Sequence, residues 1–346
     1  MSRKLKVLIV DDTAFMRRAV AQILATDSEL EVLDAARNGL EALQMVKTLK
    51  PDVITLDIDM PVMDGITAIK HIMIQSPLPI VVLSSLTNDG IVTFEALRLG
   101  VVDFVPKPSG AISTDIDRSR QQIIDRIKVA RSVNLDNVRR VRLPKQWNKS
   151  KRLADLYGFH PLEYLVALGT TLSGPNTVIR LLSRLSPTLP AAVVVLQEIS
   201  PRILESFVSE FNEHVPWKVD IARDDLPLEQ GTCYIGSNEQ SFHIETNASG
   251  SPCLKAGPPV ADPLNRLFAS AAEVYRENTI GVLLTGIGDD GADGLAQIKR
   301  RSGVTIAQDS DCCVYPNLTD NAVELGVVDM VLDDSRLHEA IESAIA

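Results

Sequence analysis

The sequence predicts two successive α/β domains, the first of them a doubly wound sheet with helices on both faces. The chain has 346 residues, 45% of them apolar and 23% charged, which at about 100–200 residues per domain is enough for two globular cores. Short, nearly continuous apolar runs alternate with segments of helical period, as parallel strands buried on both faces and joined by crossover helices do. Over residues 132–157 this periodicity gives way to polar and basic residues with Pro144, the pattern of a domain boundary.

The elements follow in order. Residues 6–10 read as a strand and 14–25 as a helix, because Met16, Val20, Ile23 and Leu24 share one face at helical spacing. Further strands are expected at 31–35, 53–56, 80–83 and 101–105, with helices at 41–49, 65–75, 91–99 and 115–131. Past the boundary, 162–168 and 191–196 read as strands and 176–185 and 202–211 as helices. The runs 217–221, 231–235 and 241–245 suggest shorter strands of a meander, followed by a helix at 262–277. Strands at 280–284 and 304–307 close the sheet, with helices at 291–300 and 336–345. The expected division is a first domain over 1–125, a basic linker over 126–157 and a second domain over 158–346.

Composition narrows the function classes. After the charged opening Met1 to Lys6, a run of only four apolar residues, Val7 to Val10, leads into Asp11 and Asp12, too few for the ~7–15-residue core of a secretory signal. No run approaches the ~18–20 apolar residues of a membrane span, so no membrane insertion is expected. Four cysteines without paired CxxC spacing make neither a disulfide nor a zinc framework, and a reducing cytoplasm is the expected location. The net charge of −10 argues against nucleic acid as the partner. From Arg118 to Arg152, however, twelve Lys/Arg face only Asp125 and Asp136. That strip reads as a solvated helix running into a charged linker, the alternative being a docking strip for an acidic partner.

Asp11 and Asp12 follow the first strand and Asp57 the third, so a parallel sheet brings three carboxylates to one end, where ligands of such sheets bind. Carboxylates that close raise each other's pKa unless a cation sits among them, and a hard cation such as Mg²⁺ suits an all-oxygen set. Ser84 ends the fourth strand, and Lys107, followed by Pro108, ends the fifth. An acidic cluster with a hydroxyl and a lysine supplies what phosphoryl transfer to a carboxylate needs: a nucleophile and cations for the developing charge.

These residues stand in Val7–Asp12, LDIDMPVMDG (56–65), VVLSS (81–85) and DFVPKP (103–108), and the set resembles the receiver domain of two-component response regulators. The resemblance implies a flavodoxin-like fold, phosphorylation of Asp57 by a histidine kinase, Mg²⁺ held by Asp11, Asp12 and Asp57, and a switch through Ser84, Phe104 and Lys107. Thr13 reads as a loop or N-cap residue.

The second domain carries LGTTLSGP (168–175), LQEISP (196–201), AGPPV (256–260) and LTGIGDDGADGL (284–295). In this order they resemble the catalytic domain of the chemotaxis protein-glutamate methylesterases, the CheB family, and with the receiver in front the whole architecture is similar. The family hydrolyses glutamyl methyl esters on chemoreceptors, and many members deamidate receptor glutamines, through a Ser–His–Asp triad in patterns G-A-S-T-G-G-P, Q-H-M-P and T-G-M-G-x-D-G. Laid on this chain, the nucleophile position falls on Thr171, the base on Glu198 and the orienting carboxylate on Asp290.

Two of the three roles have changed chemistry. The β-branch of Thr171 restricts χ1 and crowds the attack site, and Glu198, with an unperturbed pKa of ~4.3 in place of an imidazole, is a poor base for a hydroxyl. Loss of a triad nucleophile or base costs on the order of 10⁶ in rate, about 8 kcal/mol. Ser173 replaces a family glycine, 261–267 is a shortened loop without its histidine, and 234–241 departs from Y-I-A-P-G-x-x-H. Ser173 with His160, His214, His243 or His338 forms no motif that would rebuild a triad, and no HxxxH or HxH spacing suggests a metal site. Asp289, Asp290 and Asp293 lack the spacing of a calcium loop and read as helix-capping residues. The resemblance therefore implies a response regulator partnered by a CheA-like histidine kinase and by methyl-accepting chemoreceptors or another signalling protein. Its output domain is expected to have lost most esterase activity and to act as a phosphorylation-controlled binding module. The alternative is an active methylesterase and glutamine deamidase.

Overall fold

A computed structural model describes residues 3–84, 90–107, 114–138 and 162–345. Ser85, Pro108, His160 and the linker beyond Val138 lie outside the described residues. The chain divides into two compact units, Met1–Arg140 and Val141–Ala346.

The first unit alternates β1 (Leu5–Val10), α1 (Ala14–Leu24), β2 (Leu30–Ala36), α2 (Gly39–Leu49), β3 (Val53–Leu56), α3 (Gly65–Gln75), β4 (Ile80–Ser84), α4 (Gly90–Leu99), β5 (Asp103–Pro106) and α5 (Thr114–Ala130). Its sheet is parallel with order β2-β1-β3-β4-β5, the flavodoxin-like arrangement. Alternate strand residues feed two cores. Leu8, Ile54 and Val82 pack with α2, α3 and α4, whereas Val7, Val53 and Val81 pack with α1 and α5, so both faces are buried as the unbroken apolar runs require. Helix α2 starts two residues before its sequence pattern because Asn38 caps it, accepting from Glu41 N at 2.9 Å. Strand β5 starts later than the apolar run because Gly100, at φ +101°, turns the chain out of α4 first.

Two charges of the basic strip are used internally. Arg126 on α5 lies 3.3 Å from Asp103, and Lys128 pairs with Asp27 at 3.1 Å and with Glu29. Burial pushes the Asp103 carboxyl up to about 6 against the opposing Arg126 charge.

The second unit contains β6 (Tyr164–Gly169), α6 (Gly174–Leu182), β7 (Ala191–Gln197), α7 (Pro201–His214), β8 (Lys218–Ile221), β9 (Leu226–Pro227), β10 (Thr232–Ser237), β11 (Ser241–Thr246), β12 (Pro252–Gly257), α8 (Pro263–Tyr275), β13 (Thr279–Leu283), α9 (Ala292–Arg300), β14 (Val304–Gln308), α10 (Asn317–Glu324), β15 (Met330–Leu332) and α11 (Leu337–Ile345). A seven-stranded sheet has the order β15-β14-β13-β6-β7-β10-β8, every pair parallel. Ala192, Val194 and Leu196 of β7 pack with α8 and α9, and Val193 and Val195, pointing the other way, are equally buried, so this sheet too is covered on both faces.

The expected meander is corrected. Strands β8 and β10 pair in parallel within the large sheet, whereas β11 pairs antiparallel with β12 in a separate sheet of order β11-β12-β9. Short apolar runs fix that strands exist, but the excursion through β9 decides which sheet each one joins. The sheet also does not close at β14: after the short helix α10, which buries Leu318, Thr319 and Ala322, the half-buried to exposed strand β15 adds an edge.

Candidate functional site

At the carboxyl end of the first sheet the strands deliver side chains to one point. Asp11 and Asp12 leave β1, Asp57 leaves β3, Ser84 ends β4 and Lys107 leaves β5. Asp11 and Asp57 are buried, at 3% and 4% exposure, and Asp12 is exposed. Carboxylate oxygens of all three lie within 4.8 Å of one another. Lys107 Nζ bridges the two buried ones, 2.8 Å from Asp11 Oδ2 and 2.6 Å from Asp57 Oδ2.

Burial pushes the Asp57 carboxyl above its ordinary value, more than the Lys107 ammonium offsets. Burial opposes the charge on Lys107 as well, but its hydrogen bonds to Asp11 and Asp57 outweigh this and hold its pKa raised. Three anionic oxygen donors against one ammonium leave an excess negative charge, and hard oxygen ligands of that kind fit a Mg²⁺ ion.

Local sequence makes the geometry possible. A Cβ at Gly65 would strike the Asp57 carbonyl, so only glycine lets α3 start against the end of β3, and Asp64 caps that helix by accepting from Thr67 N at 2.7 Å. Thr13 stands at the N-cap of α1, but its hydroxyl donates to Asp11 Oδ1 at 2.6 Å instead of capping. Ser84 is half-buried, and its carbonyl accepts from Lys107 N at 2.8 Å. Half-buried Phe104 packs against the core shared with α3 and α4.

In the second sheet, Thr171, Glu198 and Asp290 lie on the loops that leave the adjacent strands β6, β7 and β13. The Thr171 hydroxyl donates to the Ile287 carbonyl at 3.1 Å and accepts from Ile287 N at 2.7 Å. One side chain thus occupies both polar groups of a single residue in the β13–α9 loop. Gly286 permits this approach, since a Cβ there would clash with Thr171 Oγ1. Ser173, at the position of a family glycine, takes a left-handed φ of +61°, a conformation that disfavours a side chain. Glu198 is half-buried directly after β7.

Asp290 is engaged elsewhere. Its Oδ2 accepts from Leu264 N at 2.8 Å and its Oδ1 from Asn265 N at 2.9 Å, capping the first turn of α8. Asn265 Oδ1 accepts in return from Gly291 N at 3.0 Å and Gly294 N at 2.8 Å, capping α9. This reciprocal cap joins residues 25 positions apart and carries no local sequence signature, and neither Asn265 nor Ile287 stands out in the sequence. Burial pushes the Asp290 carboxyl above its ordinary value, against the two N–H donors.

Asp290→Ala removes an acceptor from two helix-end N–H groups and is expected to lower the unfolding free energy of this unit by about 2–3 kcal/mol. Asp290→Asn should cost less, because it keeps one oxygen and discards a charge that burial disfavours. The check is urea unfolding followed at Trp217, which is fully buried, with Trp147 replaced by Phe. A midpoint unmoved by Asp290→Ala would exclude the cap as a source of stability.

Comparisons with known proteins cover both units. Residues 166–341 match the family CheB methylesterase and residues 7–114 the family response regulator receiver domain. A Pyrococcus horikoshii protein named protein-glutamate methylesterase/protein-glutamine glutaminase is 34% identical over 357 aligned positions, covering 100% of this chain and 95% of its own. A Rhodospirillum rubrum protein named protein-glutamate methylesterase/protein-glutamine glutaminase 3 is 39% identical, covering 96% of this chain and 94% of its own. Among solved structures, the Thermotoga maritima CheB methylesterase catalytic domain is 25% identical with a TM-score of 0.49, covering 52% of this chain and 97% of that one. Among the described residues, no helix is long and apolar enough to cross a membrane.

Proposed function

Because the chain belongs to the CheB methylesterase family, with a response regulator receiver domain ahead of the methylesterase domain, we propose that phosphorylation of Asp57 controls an output domain that has kept the family fold and lost most of its ester chemistry. A CheA-like histidine kinase supplies the phosphoryl group in the cytoplasm, and the output domain binds a methyl-accepting chemoreceptor or another signalling protein.

An Asp57 carboxylate oxygen attacks the phosphorus of a phosphohistidine. The new P–O bond forms as the donor's P–N bond breaks, and the imidazole leaves with the electron pair of that bond and takes up a proton from water. Asp11, Asp12 and Asp57 are the residues that would hold Mg²⁺, which when bound neutralises charge on the phosphoryl oxygens. Lys107, already on Asp57 and Asp11, turns to the phosphoryl oxygens once Asp57 carries the acyl phosphate. Ser84 donates its hydroxyl to the same group, and Phe104 follows Ser84 in the switch.

The observation that carries the output half is the double engagement of Thr171 with Ile287. A nucleophilic hydroxyl needs its proton directed at a base and a lone pair directed at substrate. The Thr171 proton is instead directed at a carbonyl, and an N–H that could stabilise an oxyanion is taken by Thr171 itself. Glu198 in the base position and Asp290 committed to α8 weigh in the same direction.

Phosphorylation shifts an equilibrium only by its unequal interaction with the two states. Treatment with acetyl phosphate and Mg²⁺ is therefore expected to change amide hydrogen exchange in segments of the second unit as well as around Asp57. Exchange in the second unit that is identical before and after labelling would refute phosphorylation control.

A further inference from the structure

Strand β1 makes its last ladder contacts at Val10 and Asp11: Asp57 N donates to the Val10 carbonyl at 2.9 Å, and Asp11 N donates to Ala36 at 3.1 Å. The carbonyls of Asp11 and Asp12 lie beyond the ladder. Arg17, half-buried one turn into α1, returns to them, its Nη1 donating to the Asp11 carbonyl at 2.8 Å and to the Asp12 carbonyl at 2.9 Å. Thr13 fixes the Asp11 side chain from the same helix start, through N at 2.8 Å and Oγ1 at 2.6 Å on Oδ1. The neighbouring Arg18 bonds back onto its own helix, at the Ala14 carbonyl at 3.3 Å, and no bond from it to Asp11 or Asp12 stands among the described residues.

Resting on the receiver reading above, we propose that Arg17 is the positioning residue of the cation site: it sets the main chain of Asp11–Asp12 and thereby the separation of their carboxylates from Asp57. Two effects of opposite sign compete. A positive charge near the cluster repels a divalent cation, so its removal alone would tighten binding. The two charge-assisted bonds hold the ligand-bearing backbone in place, so their removal spreads the carboxylates over more conformations and weakens binding. Two bonds near 2.8 Å to the peptides that carry the ligands make the second effect the larger one.

The test uses the full chain and Mn²⁺ as probe, with free ion counted by electron paramagnetic resonance. Arg17→Met is expected to raise the Mn²⁺ dissociation constant about tenfold, the lower end of what loss of a partner behind a metal ligand costs. Arg18→Met removes the same charge one residue along and is expected to leave the constant unchanged or slightly lower. Affinity measured on folded protein is a readout that a stability effect alone does not move. If Arg17→Met does not fold, Arg17→Lys is expected to weaken binding in the same direction by less. A constant at or below the parent's in the Arg17 variant, or equal shifts in the Arg17 and Arg18 variants, would overturn the proposal. Parent binding that Asp12→Asn leaves untouched would instead overturn the receiver reading of the cluster.

Discussion

Asp57→Asn is expected to reduce phosphate incorporation from acetyl phosphate or from a kinase to background. The amide offers no anionic oxygen, so no acyl phosphate can form, whatever else the site retains. The neighbouring carboxylates are poorer candidates for the same role. Asp11 is already spoken for by Thr13 N, Thr13 Oγ1 and Lys107, and Asp12 is exposed where Asp57 is buried. Chelation of divalent ions should likewise silence labelling of the parent, since three carboxylates within 4.8 Å repel an incoming phosphoryl group. Because burial holds the Asp57 carboxyl above its ordinary value, the carboxylate is lost on acidification earlier than for an exposed Asp. This shift belongs to the metal-free cluster; a divalent cation among the three carboxylates favours the charged form of Asp57 and opposes it. Undiminished labelling of Asp57→Asn would move the acceptor to another residue.

The second large effect concerns the output domain. Glutamyl methyl ester hydrolysis is expected to lie on the order of 10⁶ below that of a relative with an intact Ser–His–Asp set. Reconstruction is expected to be strongly non-additive: Thr171→Ser with Glu198→His should raise the rate above either single change, because triad members act as a unit. Thr171→Ser alone keeps a hydroxyl that can still hold Ile287, and Glu198→His alone supplies a base while the Thr171 proton still points at a carbonyl. Recovery is expected to stop short of a full enzyme, because Ser173 keeps its strained backbone and Asp290 stays on α8. Kinetics of the two single variants and the double variant on one methylated receptor measure this directly. Additive gains would show that Thr171 and Glu198 do not form one device.

The first unit was legible because its information is local. The three central strands β1, β3 and β4 are nearly pure apolar runs, and Asp11, Asp57 and Lys107 follow their strands immediately, so placing the strands places the residues. The second unit was legible in its large parallel sheet and less so elsewhere. Whether β8 and β11 share a sheet depends on pairing partners far along the chain, and short apolar runs do not encode that. The same holds for the fine structure of the degenerate site. The Thr171–Ile287 contact spans 116 residues and involves backbone groups, which every residue possesses. Sequence could say that a threonine stands at the nucleophile position, but not that its hydroxyl is already used. Asp290 reads as a capping residue from its Asp/Gly surroundings, yet the helix it caps is α8 and not the α9 that follows it. Within the basic strip, Arg126 and Lys128 turn inward because Asp103, Asp27 and Glu29 wait for them across the fold, which charge counting along the chain does not reveal.

The most direct test of a phosphorylation-controlled output domain without ester chemistry is a methanol-release assay on methylated chemoreceptor, run on the unmodified full-length protein with and without acetyl phosphate and Mg²⁺. Release at the background rate is expected in both states, while labelling of Asp57 in the same samples confirms that the receiver has been charged. Release that rises on phosphorylation and disappears in Thr171→Ala would contradict the account and make Thr171 a working threonine nucleophile.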